Sequence, residues 1–292
     1  MLTALVTGTS TGIGLETAFY FADRGYRVFA GARKPEPIEN RPNILPVKLD
    51  VDQDESVRAC VAEVLKEAGA IDVLVNNAGV GLAGAVEMVP LERVRRMFET
   101  NFFGAVRMMQ AVLPSMRDRR SGTVVNVTSM MGHVTLGCHG FYSATKFALA
   151  AVSESLAIEV KPLGVKVAII EPGVILTPIW NKAEAMMPDG HPYQQAMGRL
   201  FRIFGAQMDG GTKPDVVARA IYEAVCEGAT KLRYAVGLDA EVIVAARDRM
   251  TAREWAALLT EEDEERFVSR AEEAFRVDLY NPPSLNARKS AG

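Results

Sequence analysis

Short apolar runs rich in valine, isoleucine and leucine alternate with helix-length segments along most of this chain. Few folds tolerate that alternation. Strands joined by helical crossovers run parallel, and a parallel sheet needs helices on both faces to keep it from water. Seven strands are expected: Thr3–Val6, Arg27–Ala32, Ile44–Leu49, Val73–Asn76, Thr123–Val127, Val165–Glu171 and Leu232–Val236. Helices are expected over Ile13–Arg24, Asp54–Ala68, Pro90–Arg119 (interrupted at Asn101 and Gly104), Phe141–Lys161 and Lys213–Glu227, with Asp239–Phe275 helical throughout. The stretch Val174–Gly211, rich in Met, Pro and Gly, reads as an irregular lid or binding insertion. The tail Asn281–Gly292 reads as disordered. The expected class is α/β, a doubly wound seven-stranded parallel sheet with a C-terminal helical extension.

With 292 residues, 49% hydrophobic and 24% charged, the chain can bury a sizeable core. Its net charge of −3 offers no electrostatic reason for a nucleic acid or an anionic membrane as partner. No apolar run approaches the roughly 18 residues of a membrane span. The first residues run straight into the first strand with no basic leader, so a cytoplasmic location is expected. Cys60, Cys138 and Cys226 form no C-x-x-C pair and read as reduced thiols.

Between the first strand and the first helix lies Thr7-Gly8-Thr9-Ser10-Thr11-Gly12-Ile13-Gly14. A turn feeding a helix N-terminus aims free N–H groups and the positive dipole end at an anion, and glycines let the backbone approach a pyrophosphate. Gly8, Ser10, Thr11, Gly12, Ile13 and Gly14 are therefore candidate dinucleotide ligands. Sites for NAD place a carboxylate about 20 residues past such glycines, against the ribose 2′-hydroxyl; sites for NADP use an arginine instead. From Tyr26 to Pro35 there is no acid, and Arg33 and Lys34 follow the second strand. A guanidinium suits a phosphate dianion that a carboxylate would repel. NADP(H) is expected over NAD(H). Asp50 and Val51, ending the third strand, could meet an adenine, and Asn77, Ala78 and Gly79 end the fourth with room for a flat ligand.

Tyr142 and Lys146 stand four residues apart, one turn along one helix face. Ser129 lies thirteen residues before Tyr142, just past the apolar run at 124–127. A free phenol titrates near about 10, and a neighbouring ammonium together with the positive nicotinamide of an oxidised cofactor is expected to lower that value. His133, Cys138 and His139 lie between Ser129 and Tyr142, but no fourth ligand or metal-type spacing accompanies them, so no metal is expected.

In order and spacing, Thr7–Gly14, Asn76–Gly79, Asn101, Ser129, Tyr142 with Lys146, and Pro172-Gly173 resemble the short-chain dehydrogenase/reductase family. The likeness is strong over residues 1–178 and weaker beyond, where it resembles the hydroxysteroid and retinol dehydrogenase branch. It implies a Rossmann-like fold and hydride transfer between a nicotinamide and a carbonyl or alcohol. It makes Tyr142 the general acid/base and gives Ser129 the substrate oxygen. Lys146 would hold the nicotinamide ribose, and Asn101 a water chain reaching Lys146. Pro172, Gly173 and Thr177 would line the nicotinamide side. Residues 1–280 would then form one domain: a cofactor-binding part (1–173), a substrate-binding segment (174–211), and C-terminal helices (239–275) as an appendage. Leu136, Gly137, Cys138, Met186, Met187 and Phe201 are candidate pocket residues, and soft methionine-rich walls suit a bulky apolar substrate, steroid- or retinoid-like. Family members commonly form dimers or tetramers, so a homodimer or homotetramer is expected. Two rival readings are an idle NADP(H)-binding sensor and an epimerase or dehydratase of the same fold.

Overall fold

The computed structural model describes residues 1–36, 41–179, 184–186, 190–208 and 211–275. Among them a seven-stranded sheet is built from β1 (Thr3–Thr7), β2 (Arg27–Ala32), β3 (Ile44–Lys48), β4 (Val73–Asn76), β6 (Gly122–Val127), β7 (Val165–Pro172) and β9 (Arg233–Val236). The strand order is β3-β2-β1-β4-β6-β7-β9, and every neighbouring pair is parallel. The chain first builds outward through β2 and β3, then returns to the other side of β1 with β4. That reversal opens a crevice at the carboxyl ends of β1 and β4, the place where ligands bind in open parallel sheets.

Side chains alternating along each strand feed two separate cores. Leu5, Phe29, Val47, Leu74, Val124 and Val167 pack against α2 (Asp54–Ala68), α4 (Gly104–Arg119) and α5 (Gly140–Val160). Ala4, Val6, Val28, Val75, Val125 and Ile170 pack against α1 (Gly12–Ala22) and α7 (Pro214–Cys226). Both faces being dry explains why these strands read as near-continuous apolar runs. The three cysteines are unpaired. No helix among the described residues is long and apolar enough to cross a membrane.

The expected helix over Pro90–Arg119 divides into α3 (Leu91–Phe98), a π-helical turn at Glu99–Phe103, and α4. The wide turn contains Asn101, whose buried amide is engaged outside the helix. Val174–Gly211 is not wholly irregular. It holds β8 (Glu184–Met186), paired in parallel with β5 (Leu82–Gly84), and the fifteen-residue α6 (Gln194–Met208). Met197, Leu200, Ile203 and Phe204 form the buried stripe of α6; Gly198 and Gly205 dilute its helical signal in the sequence.

Asp239–Phe275 is not one helix but three: α8 (Leu238–Arg249), α9 (Ala252–Leu259) and α10 (Glu264–Phe275). Thr251 caps α9 through a reciprocal box with Glu254, a signal visible in the sequence as T-x-x-E. These helices are no appendage. Ile243, Trp255, Leu258, Phe267 and Phe275 share one core with α6 and with Met130, Met131, Leu136 and Cys138. The indole of Trp255 donates to the Thr135 carbonyl at 2.9 Å, and the buried Arg199 of α6 bonds Glu264 of α10 at 3.1 Å. The tail Asn281–Gly292 lies outside the described residues.

Candidate active site

The glycine loop is stitched to its neighbours by main chain. Gly8 and Thr9 donate to the Gly31 carbonyl at 2.9 and 3.2 Å. Gly8 and Gly12 take φ values of 71° and 64°, the left-handed region glycine enters freely. A side chain on Gly8 would meet the Ala78 Cα at 2.9 Å, and one on Gly12 the Thr177 methyl at 3.0 Å. Asn77 braces the loop from the end of β4: its amide donates to the carbonyls of Thr7 (2.9 Å) and Gly8 (3.3 Å), and its own N–H donates to the Thr7 hydroxyl. Thr11 stands at the N-cap of α1 without a side-chain capping bond, so the first amides of the helix keep their donors for an anion.

A cavity of about 240 Å³ runs along this loop. Its wall includes Gly8, Ser10, Thr11, Gly12, Ile13, Arg33, Asp50, Val51, Asn77, Ala78, Gly79 and Thr177. Two expected residues are absent from it. Lys34 is exposed and points no atom at the wall. Gly14 is buried beneath the loop: a Cβ there would sit 2.4 Å from the Gly8 carbonyl oxygen and 2.5 Å from the Asn77 amide nitrogen. Its part is to let α1 close on the loop. Gly14→Ala is accordingly expected to destabilise the fold by about 1–3 kcal/mol through overpacking and to weaken dinucleotide binding. Thermal melting and a cofactor titration measure both, and unchanged values would contradict the packing account.

Asp52, not anticipated from the sequence, also lines this cavity. Its Oδ2 accepts from the Thr100 hydroxyl at 3.0 Å, while Oδ1 is buried without a partner. Burial raises its pKa, opposed by the Thr100 bond and by the nearby Arg33 charge.

A second cavity, about 300 Å³, shares Ile13, Asn77, Gly79 and Thr177 with the first, so the two adjoin. Ser129, Tyr142, Lys146, Pro172 and Gly173 line it. Ser129 sits in extended backbone (φ −178°) at the N-cap of a tight turn, where its hydroxyl accepts from the Met131 N–H at 3.1 Å and donates to the Pro172 carbonyl at 3.4 Å. Ser129 lies near enough to the Tyr142 hydroxyl to favour its anion. Lys146 is buried; its Nζ donates to the Val127 carbonyl at 3.1 Å and lies 5.8 Å from the Tyr142 ring centre.

Asn101 lines neither cavity. It lies behind Gly79, where a Cβ would come 3.3 Å from its Oδ1 and 3.7 Å from the Lys146 Nζ. Its amide closes a double bond with the Val80 main chain (2.8 and 2.9 Å) and donates to the Thr145 hydroxyl at 3.1 Å.

The electrostatics of the chain by itself differ from the sequence expectation. Burial pushes the Tyr142 phenol up to about 12, only partly opposed by Ser129. Lys146 does not depress it; burial brings the ammonium itself down to about 8. Desolvation outweighs a charge whose head group is turned to a main-chain carbonyl.

The rest of the second cavity is apolar and comes from distant elements: Leu82, Met130, Met131, Val174, Leu200 and Phe204, with Phe201 half-exposed beside them. Of the expected pocket residues, Phe201 is on this wall. Leu136, Gly137, Cys138 and Met186 are not, and Leu136 and Cys138 belong to the core under α6. Met187 lies outside the described residues. His139, passed over as a metal ligand, is on the wall, and its ring stacks on Tyr142. The described residues hold no cluster of three or more His, Cys, Asp or Glu able to ligate a metal.

A family model described as short chain dehydrogenase matches residues 2–188. The 3-ketodihydrosphingosine reductase of Bacteroides thetaiotaomicron is 36% identical over 243 residues, 82% of this chain and 90% of that protein. Human retinol dehydrogenase 8 is 40% identical over 197 residues, 63% of this chain and 62% of that protein. A short-chain dehydrogenase from Streptomyces avermitilis superposes with a TM-score of 0.78 at 36% identity, covering 92% of this chain and 98% of that one. Another, from Burkholderia cenocepacia and in complex with NADP, does so with a TM-score of 0.71 at 25% identity, covering 89% and 98%. With the sheet order, the braced glycine loop and the family match over most of its length, this chain belongs to the short-chain dehydrogenase/reductase family of oxidoreductases.

Proposed function

We propose that this protein is an NADP(H)-dependent oxidoreductase acting on the carbonyl or secondary alcohol of a bulky apolar substrate, steroid- or retinoid-like. The carrying observation is that Ser129, Tyr142 and Lys146 line one largely apolar cavity that adjoins the glycine-loop cavity. The first cavity fits a dinucleotide. Gly8 and Gly12 leave it open where a side chain would close it, the α1 amides stand ready for a pyrophosphate, and Arg33 on the same wall offers a guanidinium to a 2′-phosphate. Bound there, the nicotinamide supplies or accepts the hydride.

The chain's own residues do the rest. Ser129 donates a hydrogen bond to the substrate oxygen and stabilises charge gathering on it. Tyr142 gives that oxygen a proton during reduction and takes one during oxidation. Lys146 contributes positive potential beside the phenol and holds the ribose hydroxyls, and Asn101 fixes the Val80 main chain that borders both cavities. A neutral phenol is the form carbonyl reduction needs, and burial keeps Tyr142 in that form at neutral pH. Names of the relatives support a lipid-like substrate: retinol in one case, 3-ketodihydrosphingosine in the other.

The test is NADPH oxidation across a panel from small aldehydes to steroid ketones and retinal. Turnover rising with substrate bulk is expected. Tight NADPH binding with no turnover on any member would contradict this function.

A further inference from the structure

The second cavity carries one polar group that the hydride chemistry leaves unused. His139 immediately precedes α5 and lines the same cavity as Ser129 and Tyr142. Its ring stacks on the Tyr142 ring with centroids 4.6 Å apart and planes 17° from parallel. Phe204 of α6 approaches it in a T-shaped contact at 5.4 Å. The residue is only 8% exposed, and its Nδ1 is buried with no hydrogen-bond partner. An unpaired buried polar atom is uncommon and calls for a reason, a ligand being one.

Burial holds the imidazole down at about 4, hence neutral, with one N–H and one lone pair. The ring torsion of a histidine is soft, so Nδ1 can turn to the cavity without leaving the Tyr142 stack's neighbourhood. Anything it meets there lies next to the oxygen held by Ser129 and Tyr142. With the His139 and Tyr142 ring centres 4.6 Å apart, that partner sits close to the reacting carbon.

We infer that His139 reads a second polar group of the substrate, a hydroxyl on a carbon neighbouring the reacting carbonyl. A hydroxyl fits better than an ion. Among the described residues Lys146 is the one ionisable amine on this wall and no carboxylate lines it, so a substrate ammonium would enter unbalanced. A neutral imidazole also lacks the charge that would hold a substrate anion. The substrate is then a bulky apolar ketone with an adjacent hydroxyl, or the matching diol in the oxidative direction.

This inference rests on the oxidoreductase function proposed above, and its test separates the two. Wild type, His139→Phe and His139→Gln are assayed on two apolar ketones that differ only by a hydroxyl on the neighbouring carbon. Wild type is expected to favour the hydroxyl-bearing ketone by roughly tenfold or more in kcat/KM, the discrimination a site built to bond a hydroxyl gives. His139→Phe should erase that preference by lowering kcat/KM on the hydroxyketone more than on the plain ketone, and His139→Gln should restore part of it, because the amide can still bond a hydroxyl. NADPH affinity should be unchanged in both variants, which also reports folding. Equal loss on both ketones, or a wild type with no preference, overturns the role of His139. No turnover of either ketone by wild type overturns the oxidoreductase function instead. Imidazole nitrogen resonances of wild type then decide on His139 alone: a shift on adding the hydroxyketone but not the plain ketone upholds its role, and no difference overturns it.

Discussion

Tyr142→Phe is expected to lower kcat by roughly 10²–10⁴-fold, the usual worth of a positioned proton transfer, with little change in NADPH affinity. The substitution removes one oxygen and keeps the ring, so the His139 stack and the local packing survive. What it deletes is the hydroxyl that stands near Ser129. Ser129 keeps its partners at Met131 and Pro172 and can still hold the substrate oxygen, so KM should move less than kcat. The pH dependence has a definite sign. Reduction needs the protonated phenol, which a pKa near 12 maintains across neutral pH; oxidation needs the phenolate, so oxidation should accelerate as pH rises. Lys146 sets an opposing limit. Its charge is lost as pH passes its value of about 8, and the hold on the ribose proposed for it weakens there. Stopped-flow turnover in both directions, wild type against variant, measures these effects. Near-full turnover by Tyr142→Phe would remove Tyr142 from the chemistry.

The sheet was legible in the sequence because its strands are covered on both faces, which leaves runs such as Val124-Val125 and Ile169-Ile170 with no polar residue to blur them. The glycine loop and the Tyr142–Lys146 pair were legible because their geometry is local: a turn into a helix, and one helical turn. Asn101 stood out as a poor helix residue, but a π-helical turn cannot be read from residue types alone. The substrate wall was harder. Leu82, Met130, and Leu200 with Phe204 meet there from three places in the chain, and nothing in local periodicity distinguishes a residue facing a cavity from one facing a core. Leu136 and Cys138 went to the core for the same reason. Sequence adjacency to Tyr142 could have pointed to His139, had the ring been weighed as a substrate contact and not only as a metal ligand. Burial, which raises the Tyr142 pKa in the chain by itself, has no local sequence signature, whereas charge proximity does.

Arg33→Glu is expected to weaken NADPH binding by roughly 10- to 100-fold, the range set by hydrogen bonds to a charged group at about 1.5–3 kcal/mol, and to leave NADH binding within about threefold. Arg33 is exposed on the wall of the glycine-loop cavity just past β2, where a guanidinium can engage a phosphate through two parallel bonds. The acids on that wall are Asp50 and Asp52, and burial favours the neutral form of Asp52; a glutamate at position 33 would add an ionised carboxylate beside them. Because Arg33 is solvent-exposed, salt should erode the advantage of NADPH over NADH in wild type and do little in the variant. Lys34→Ala is the internal control: Lys34 lies off the cavity wall, so its loss should shift the cofactor ratio far less than the loss of Arg33. Fluorescence titrations of both cofactors at two ionic strengths give all of these numbers. If Arg33→Glu leaves the NADPH-to-NADH ratio where it was, the preference for NADPH does not reside at the end of β2, and the missing acid between Tyr26 and Pro35 says nothing about which dinucleotide this protein uses.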